Sequence, residues 1–158
     1  MIDPKTIQES LINKFGLLND AVVIQRPKRI FVDIGVEKFR DMFKHAVKDL
    51  GFSVLLTITG LDEGEKFGFI YHMGDESGII LNIKTHVKKS DAVINTITDL
   101  FPNAEIYERE IADLLGVKFE GLKPGIRYPL PDDWPQGQFP LRKDWKKDNK
   151  AQAGDAHA

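Results

Sequence analysis

Pro124, Pro129, Pro131, Pro135 and Pro140 are five of the chain's eight prolines, and they succeed one another within a single C-terminal stretch. Each fixes φ and removes a backbone donor, so neither a helix nor a central strand can run through that stretch. The regular fold must be complete before it, and the stretch itself is an irregular arm. Both tryptophans, Trp134 and Trp145, lie in the arm. Large aromatic surface is costly to leave in water. The arm therefore lies against something, either the chain's own core or a partner. Its prolines lower the entropy cost of docking.

Upstream, the apolar pattern alternates between helical and strand periods. Asp3 followed by Pro4 marks a helix start. Ile7, Leu11 and Phe15 continue that helix, and Gly16 stops it. "AVVIQ" and "RIFVDI" read as a hairpin around "RPK". Val36, Phe39, Phe43, Ala46, Val47 and Leu50 have helical spacing, and Gly51 ends the run. "SVLLTIT", "KFGFIYH" and "GIILNIKTH" read as three strands. They are joined by the turn-rich "GLDEGE" and "MGDESG", an antiparallel meander. Phe67, Phe69 and Tyr71 share one face, as do Ile79, Leu81 and Ile83. Ser90 is expected to cap a helix carrying Val93, Ile97 and Leu100. Asn103 is expected to cap another, with Tyr107, Ile111, Leu114 and Leu115 inward and Gly116 at its end.

The expected fold class is α+β, with the order α-ββ-α-βββ-α-α, a mainly antiparallel sheet and helices on one face. The expected organisation is an α+β domain over 1–121, a partner-docking arm over 122–145 and a disordered polar tail over 146–158.

Several function classes are excluded or unsupported. There is no cysteine, so disulfides, thiolate zinc sites and cysteine-ligated iron–sulfur clusters have no ligands in this sequence. A net charge of -2 gives no global pull toward nucleic acid. The sequence "MIDPKTIQES" has no secretory pattern, and no apolar run approaches the roughly 20 residues of a membrane span. We therefore expect a cytoplasmic chain that reaches a membrane only indirectly. His45, His72, His86 and His157 show no metal-binding spacing, so no metal ligand is assigned. His45 is expected on the polar side of its helix. Ser10, Ser53, Ser77 and Ser90 lie in no nucleophile elbow. The acidic "GLDEGEKFGF" is no phosphate cradle, and no cofactor-binding residue is assigned.

The densest charge cluster is "EIYEREIADLLG", from Glu105 to Gly116. Glu105, Arg109 and Asp113 are spaced for an ion-pair ladder, flanked by Glu108 and Glu110. It reads as a solvated or partner-binding face. The rival is a hydrolase using Glu108 or Glu110 as acid or base. In the arm, "PDDW" forms a proline-led turn, and "PLRKDW" presents Arg142 and Lys143 among aromatic and acidic neighbours. Arg and Trp are the types enriched at interface hot spots.

These two blocks together carry a resemblance. "YEREIADLLGVKFEG", then "LPDDW", then "PLRKDW" resembles the C-subunit, or thirty-kilodalton-subunit, family of respiratory complex I (NADH:quinone oxidoreductase). The same family supplies subunits of energy-converting membrane-bound [NiFe] hydrogenases. The matching positions are Glu108, Arg109, Glu110, Asp113, Leu114 and Gly116, followed by Phe119 and Gly121. Leu130, Pro131, Asp132, Asp133 and Trp134 come next, then Pro140, Leu141, Arg142, Lys143 and Asp144, with Trp145 closing the block. "LKPGIRYP" keeps Arg127 without the family's His-Pro, and "PQGQF" is two residues longer than is usual in complex I. Both features resemble the hydrogenase branch.

The resemblance implies a cofactor-free scaffold subunit of the peripheral arm, on the cytoplasmic side. It would sit against a large catalytic subunit that bears the [NiFe] site or lines the quinone pocket, with iron–sulfur clusters in partner subunits. The Glu105-to-Asp113 helix and the arm to Trp145 are expected to form the contact surface, with Arg109, Arg127 and Arg142 as charge-assisted anchors and Trp134 as an apolar anchor. The alternative is a stand-alone α+β binding module whose arm packs on its own core.

Overall fold

The structure, a computed structural model, describes residues 3–146. The helix α1 spans Pro4–Phe15. The Asp3 carboxylate accepts from the Lys5 and Thr6 N–H groups, and Gly16 ends the helix at φ 62°. Strands β1 (Val22–Arg26) and β2 (Arg29–Asp33) form the expected hairpin. Helix α2 (Phe39–Lys48) is followed by β3 (Val54–Asp62), β4 (Lys66–Gly74) and β5 (Ile80–Lys88). A short strand β6 (Val93–Asn95), helix α3 (Ala104–Leu115) and strand β7 (Lys118–Glu120) complete the domain.

The five-stranded sheet has the order β1-β2-β5-β4-β3. Every neighbour pair is antiparallel except β2–β5. Its register puts Val32, Ile83 and Tyr71 in one row across the sheet, and Ile30, Leu81 and Met73 in another. All six are buried. Phe39 and Phe43 of α2 pack on Tyr71, with ring centroids 4.9 and 5.1 Å away. Ile111 and Leu115 of α3 lie over Gly60, which is paired with Phe69 on the same face. A β-carbon at Gly60 would stand 3.0 Å from Ile111, so the glycine sets how closely α3 approaches the sheet. The α+β reading, with a mainly antiparallel sheet and helices on one face, holds.

The helix expected after Ser90 does not form. A single 3-10 turn at Lys89–Asp91 leads into β6, which pairs in parallel with β7. The Lys118 N–H donates to Ala92 O at 2.8 Å, and the Thr96 N–H to Glu120 O at 2.8 Å. From Val93 to Thr98 every residue except Asn95 is β-branched. That bias toward extended backbone outweighs the accidental four-residue spacing of Val93 and Ile97.

His45 is also corrected. It is buried against α1, with Nε2 3.0 Å from Ser10 Oγ and Nδ1 2.5 Å from Asp49 Oδ2. The hydrogen bond from His45 holds the exposed Asp49 carboxyl below its ordinary range. The order of groups is that of a nucleophile relay, which also needs free backbone donors for an oxyanion. Ser10 sits mid-helix, where neighbouring N–H groups are engaged in the helix ladder. The three residues instead stitch α1 to α2.

Candidate functional site

The feature that organises the surface is the clasp between α3 and the arm. It begins at Gly116. This residue ends α3 at φ 73°, and its N–H donates to Ala112 O at 2.9 Å. A β-carbon here would stand 2.5 Å from the Phe139 ring and 2.6 Å from the Arg142 guanidinium. Glycine is therefore required twice, for the left-handed turn and for the returning arm.

The last carbonyls of a helix lack partners within it. Here the arm supplies them. Arg142 Nε donates to Leu115 O at 2.7 Å, and the Leu141 N–H donates to Leu114 O at 3.2 Å. The guanidinium also brings positive charge to the negative end of the α3 dipole. It stacks over Phe139 at 4.4 Å and Phe67 at 5.3 Å.

Asp62, at the end of β3, is the second anchor. Its side chain is 2% exposed. Oδ2 accepts from the Lys143 N–H and from Lys89 Nζ, both at 2.8 Å, and Oδ1 accepts from the Gly64 N–H at 2.9 Å. Burial alone would push the carboxyl up, but the three donors outweigh it and hold the pKa at about 2. Lys89 also donates to Asp144 at 2.9 Å. The bond to Asp62 and then that to Asp144 raise the Lys89 pKa.

Asp113 is the third anchor. Its carboxylate accepts from Arg127 Nε at 2.7 Å and the Leu130 N–H at 2.9 Å. Arg127 reaches on to Trp134 O at 2.7 Å. The expected ladder is thus only half formed. Arg109 pairs with Glu105 at 2.8 Å and donates to Lys123 O at 2.7 Å, while Asp113 takes Arg127.

The tryptophans meet inside the arm, with centroids 6.1 Å apart. Trp134 Nε1 donates to Gln138 O at 2.9 Å, and Trp145 Nε1 donates to Gln138 Oε1 at 2.6 Å. "PQGQF" thus joins the two indoles. "PDDW" forms its expected turn, with the Trp134 N–H donating to Pro131 O at 3.0 Å.

Glu108 is not on a solvated face. It is fully buried and accepts from the Ile97 N–H at 2.9 Å and Thr96 Oγ1 at 2.5 Å. Burial pushes its carboxyl up, against those two bonds. A buried carboxylate gripping a loop has no access for substrate, which removes Glu108 from the hydrolase reading.

The residues singled out from the sequence differ in how far they are covered by the chain itself. Glu108, Arg109, Asp113, Arg127 and Arg142 bond within the chain, and Phe119 is buried 6.2 Å from Phe69. The charged anchors expected to face a partner therefore face the chain's own atoms. Glu110, Trp134, Pro140 and Trp145 are half-buried, whereas Pro131, Asp132, Asp133, Leu141, Lys143 and Asp144 face solvent. Sequence reasoning missed Asp62 and Lys89. Their arm partners are 81 and 55 residues away in sequence, with no local pattern to mark them.

Residues 32–151 match the family model described as respiratory-chain NADH dehydrogenase, 30 Kd subunit. The beta subunit of the membrane-bound hydrogenase of Pyrococcus furiosus is 32% identical, over 81% of this chain and 79% of the relative. The C-subunit of the F(420)H(2) dehydrogenase of Methanosarcina mazei is 30% identical, over 92% and 93% respectively. Among solved structures, the chain is similar to one from an archaeal membrane-bound sulfane sulfur reductase. The TM-score is 0.76 at 28% identity, covering 90% of this chain and 85% of that one. It is also similar to a trypsin-resistant fragment of Nqo5. There the TM-score is 0.65 at 25% identity, covering 77% and 99%. The chain belongs to the 30-kilodalton subunit family of respiratory-chain NADH dehydrogenase.

Proposed function

We propose that this chain is a non-catalytic scaffold subunit in the peripheral arm of a complex I-like membrane oxidoreductase, of the hydrogenase type rather than an NADH:quinone oxidoreductase. Its family supports the subunit role. The hydrogenase-type assignment is supported by similarity to the hydrogenase and F(420)H(2) dehydrogenase subunits over 81% and 92% of this chain. The observation that carries the scaffold reading is the clasp. Arg109 and Asp113 of the family signature fasten α3 to the arm, which presents the arm as a preformed surface.

The partner in this reading is the large catalytic subunit, with iron–sulfur clusters and the [NiFe] or quinone site held by partner subunits. No helix among the described residues is long and apolar enough to cross a membrane. Attachment would come through the assembly, on the cytoplasmic side. The self-packed arm is compatible with docking, because a surface fixed in advance loses less entropy on binding.

Affinity isolation of a tagged chain from its native membranes tests this. Recovery with a hydrogenase-type large subunit and iron–sulfur subunits is expected. Recovery of the chain alone, at natural expression, would overturn the reading.

A further inference from the structure

Ile126 is 84% exposed, more than any other large apolar side chain among the described residues. A lone exposed isoleucine is ordinary. This one is held out. Arg109 grips Lys123 O on one side of it, and Arg127 grips Asp113 on the other, each at 2.7 Å. Pro124 stiffens the short span between these anchors. Ile126 therefore cannot turn inward without breaking part of the clasp.

It also has apolar neighbours. Ile106, Tyr107 and Tyr128 line with it a groove of 370 Å³ between α3 and the arm. Ile106 is 48% and Tyr128 41% exposed. The Tyr107 hydroxyl donates to Leu56 O at 3.0 Å, which ties the α3 wall of the groove to edge strand β3. The groove's charges cancel, because Glu105 and Arg109 pair at 2.8 Å.

We propose that this groove receives an uncharged, apolar segment of another subunit of the assembly, with Ile126 as the central contact. The inference rests on the assembly role proposed above and assigns the surface that role uses. A charged segment would find both groove charges already paired, so its desolvation would go uncompensated. The composition of residues 147–158 does not match an uncharged, apolar occupant. They read "KDNKAQAGDAHA" and contain no large apolar side chain. Tyrosine is among the residue types that concentrate binding energy at interfaces, and Tyr107 and Tyr128 flank Ile126 in a surface ordered before binding.

The test uses the full-length tagged chain expressed in its native membranes. Ile126→Asp and Ile106→Asp should each lower recovery of the large subunit, identified by mass spectrometry, by about tenfold or more relative to wild type. The isolated variants should melt as wild type does, and Ile126→Ser provides an uncharged version should Ile126→Asp fold poorly. Leu18→Asp, at a similarly exposed site away from α3, should recover the large subunit normally. Unchanged recovery with Ile126→Asp, while wild type recovers its partners, would overturn the groove and leave the assembly role standing. Wild type recovering no subunit would overturn both. Large-subunit recovery unchanged, with loss of a self-associated form in sedimentation, would show the occupant to be a second copy and overturn this assignment.

Discussion

Replacing Asp62 with asparagine removes one negative charge and keeps the side chain's shape. In the folded chain the carboxyl is held at about 2, against an ordinary 3.8. That difference corresponds to about 2 kcal/mol of stabilisation at neutral pH. The sign comes from the direction of the shift. A depressed carboxyl stabilises fully above its unfolded pKa, and the contribution is lost as pH falls through the folded value. Asp62→Asn should therefore lower stability by about 2 kcal/mol at pH 7, and the gap should close as pH falls from about 4 to about 2. Urea unfolding of wild type and variant at a series of pH values reads this gap directly. Because Asp62 holds the Lys143 N–H, the variant should also be cut faster within the arm by a dilute protease. A gap that stays constant with pH would refute the charge argument. A gap near zero at pH 7 would refute the anchor itself.

The same geometry sets other outcomes. Gly116→Ala should cost at least the roughly 1–2 kcal/mol of a left-handed non-glycine residue, and should loosen the arm, because Phe139 and Arg142 occupy the space of the new methyl. Protease sensitivity of the arm checks it. Glu108→Ala should destabilise by about 1–3 kcal/mol, since it leaves the buried Ile97 N–H unpaired. Glu108→Gln keeps an acceptor and removes a carboxyl that burial disfavours when charged, so at pH 7 it should cost less than Glu108→Ala in the same unfolding assay. Phe43→Ala should cost about 3–5 kcal/mol by opening the aromatic cluster around Tyr71, measured by urea unfolding.

The legible parts of this fold are those with local causes. Asp3-Pro4 and Gly16 bound α1 through capping chemistry that lies within a few residues. The meander from β3 to β5 is readable from alternation and turn residues, because adjacent strands pair next to each other. The stretch from Val93 to Thr98 misleads because two periods compete and the β-branched bias outweighs the helical one. Glu108 is misplaced by a small rotation of the helix stripe. Ala104, Glu108, Ile111 and Leu115 form the buried row, whereas Tyr107 and Leu114 are only partly covered. The arm's prolines and tryptophans announce a docked strap, yet not which side each arginine faces. That choice depends on backbone atoms such as Leu115 O and the Lys143 N–H, whose positions carry no residue signature. The expected tail, apart from Lys146, lies outside the described residues.

The scaffold reading turns on the arm being clasped before any partner arrives. Amide hydrogen exchange on the isolated full-length chain tests this most directly. The Leu130, Leu141 and Lys143 N–H groups donate to Asp113, Leu114 O and Asp62. All three should exchange slowly, and Asp62→Asn should speed Lys143 and its neighbours first. Exchange of these amides at the rate of an unstructured peptide would contradict the clasp, since the arm would then become ordered only on binding.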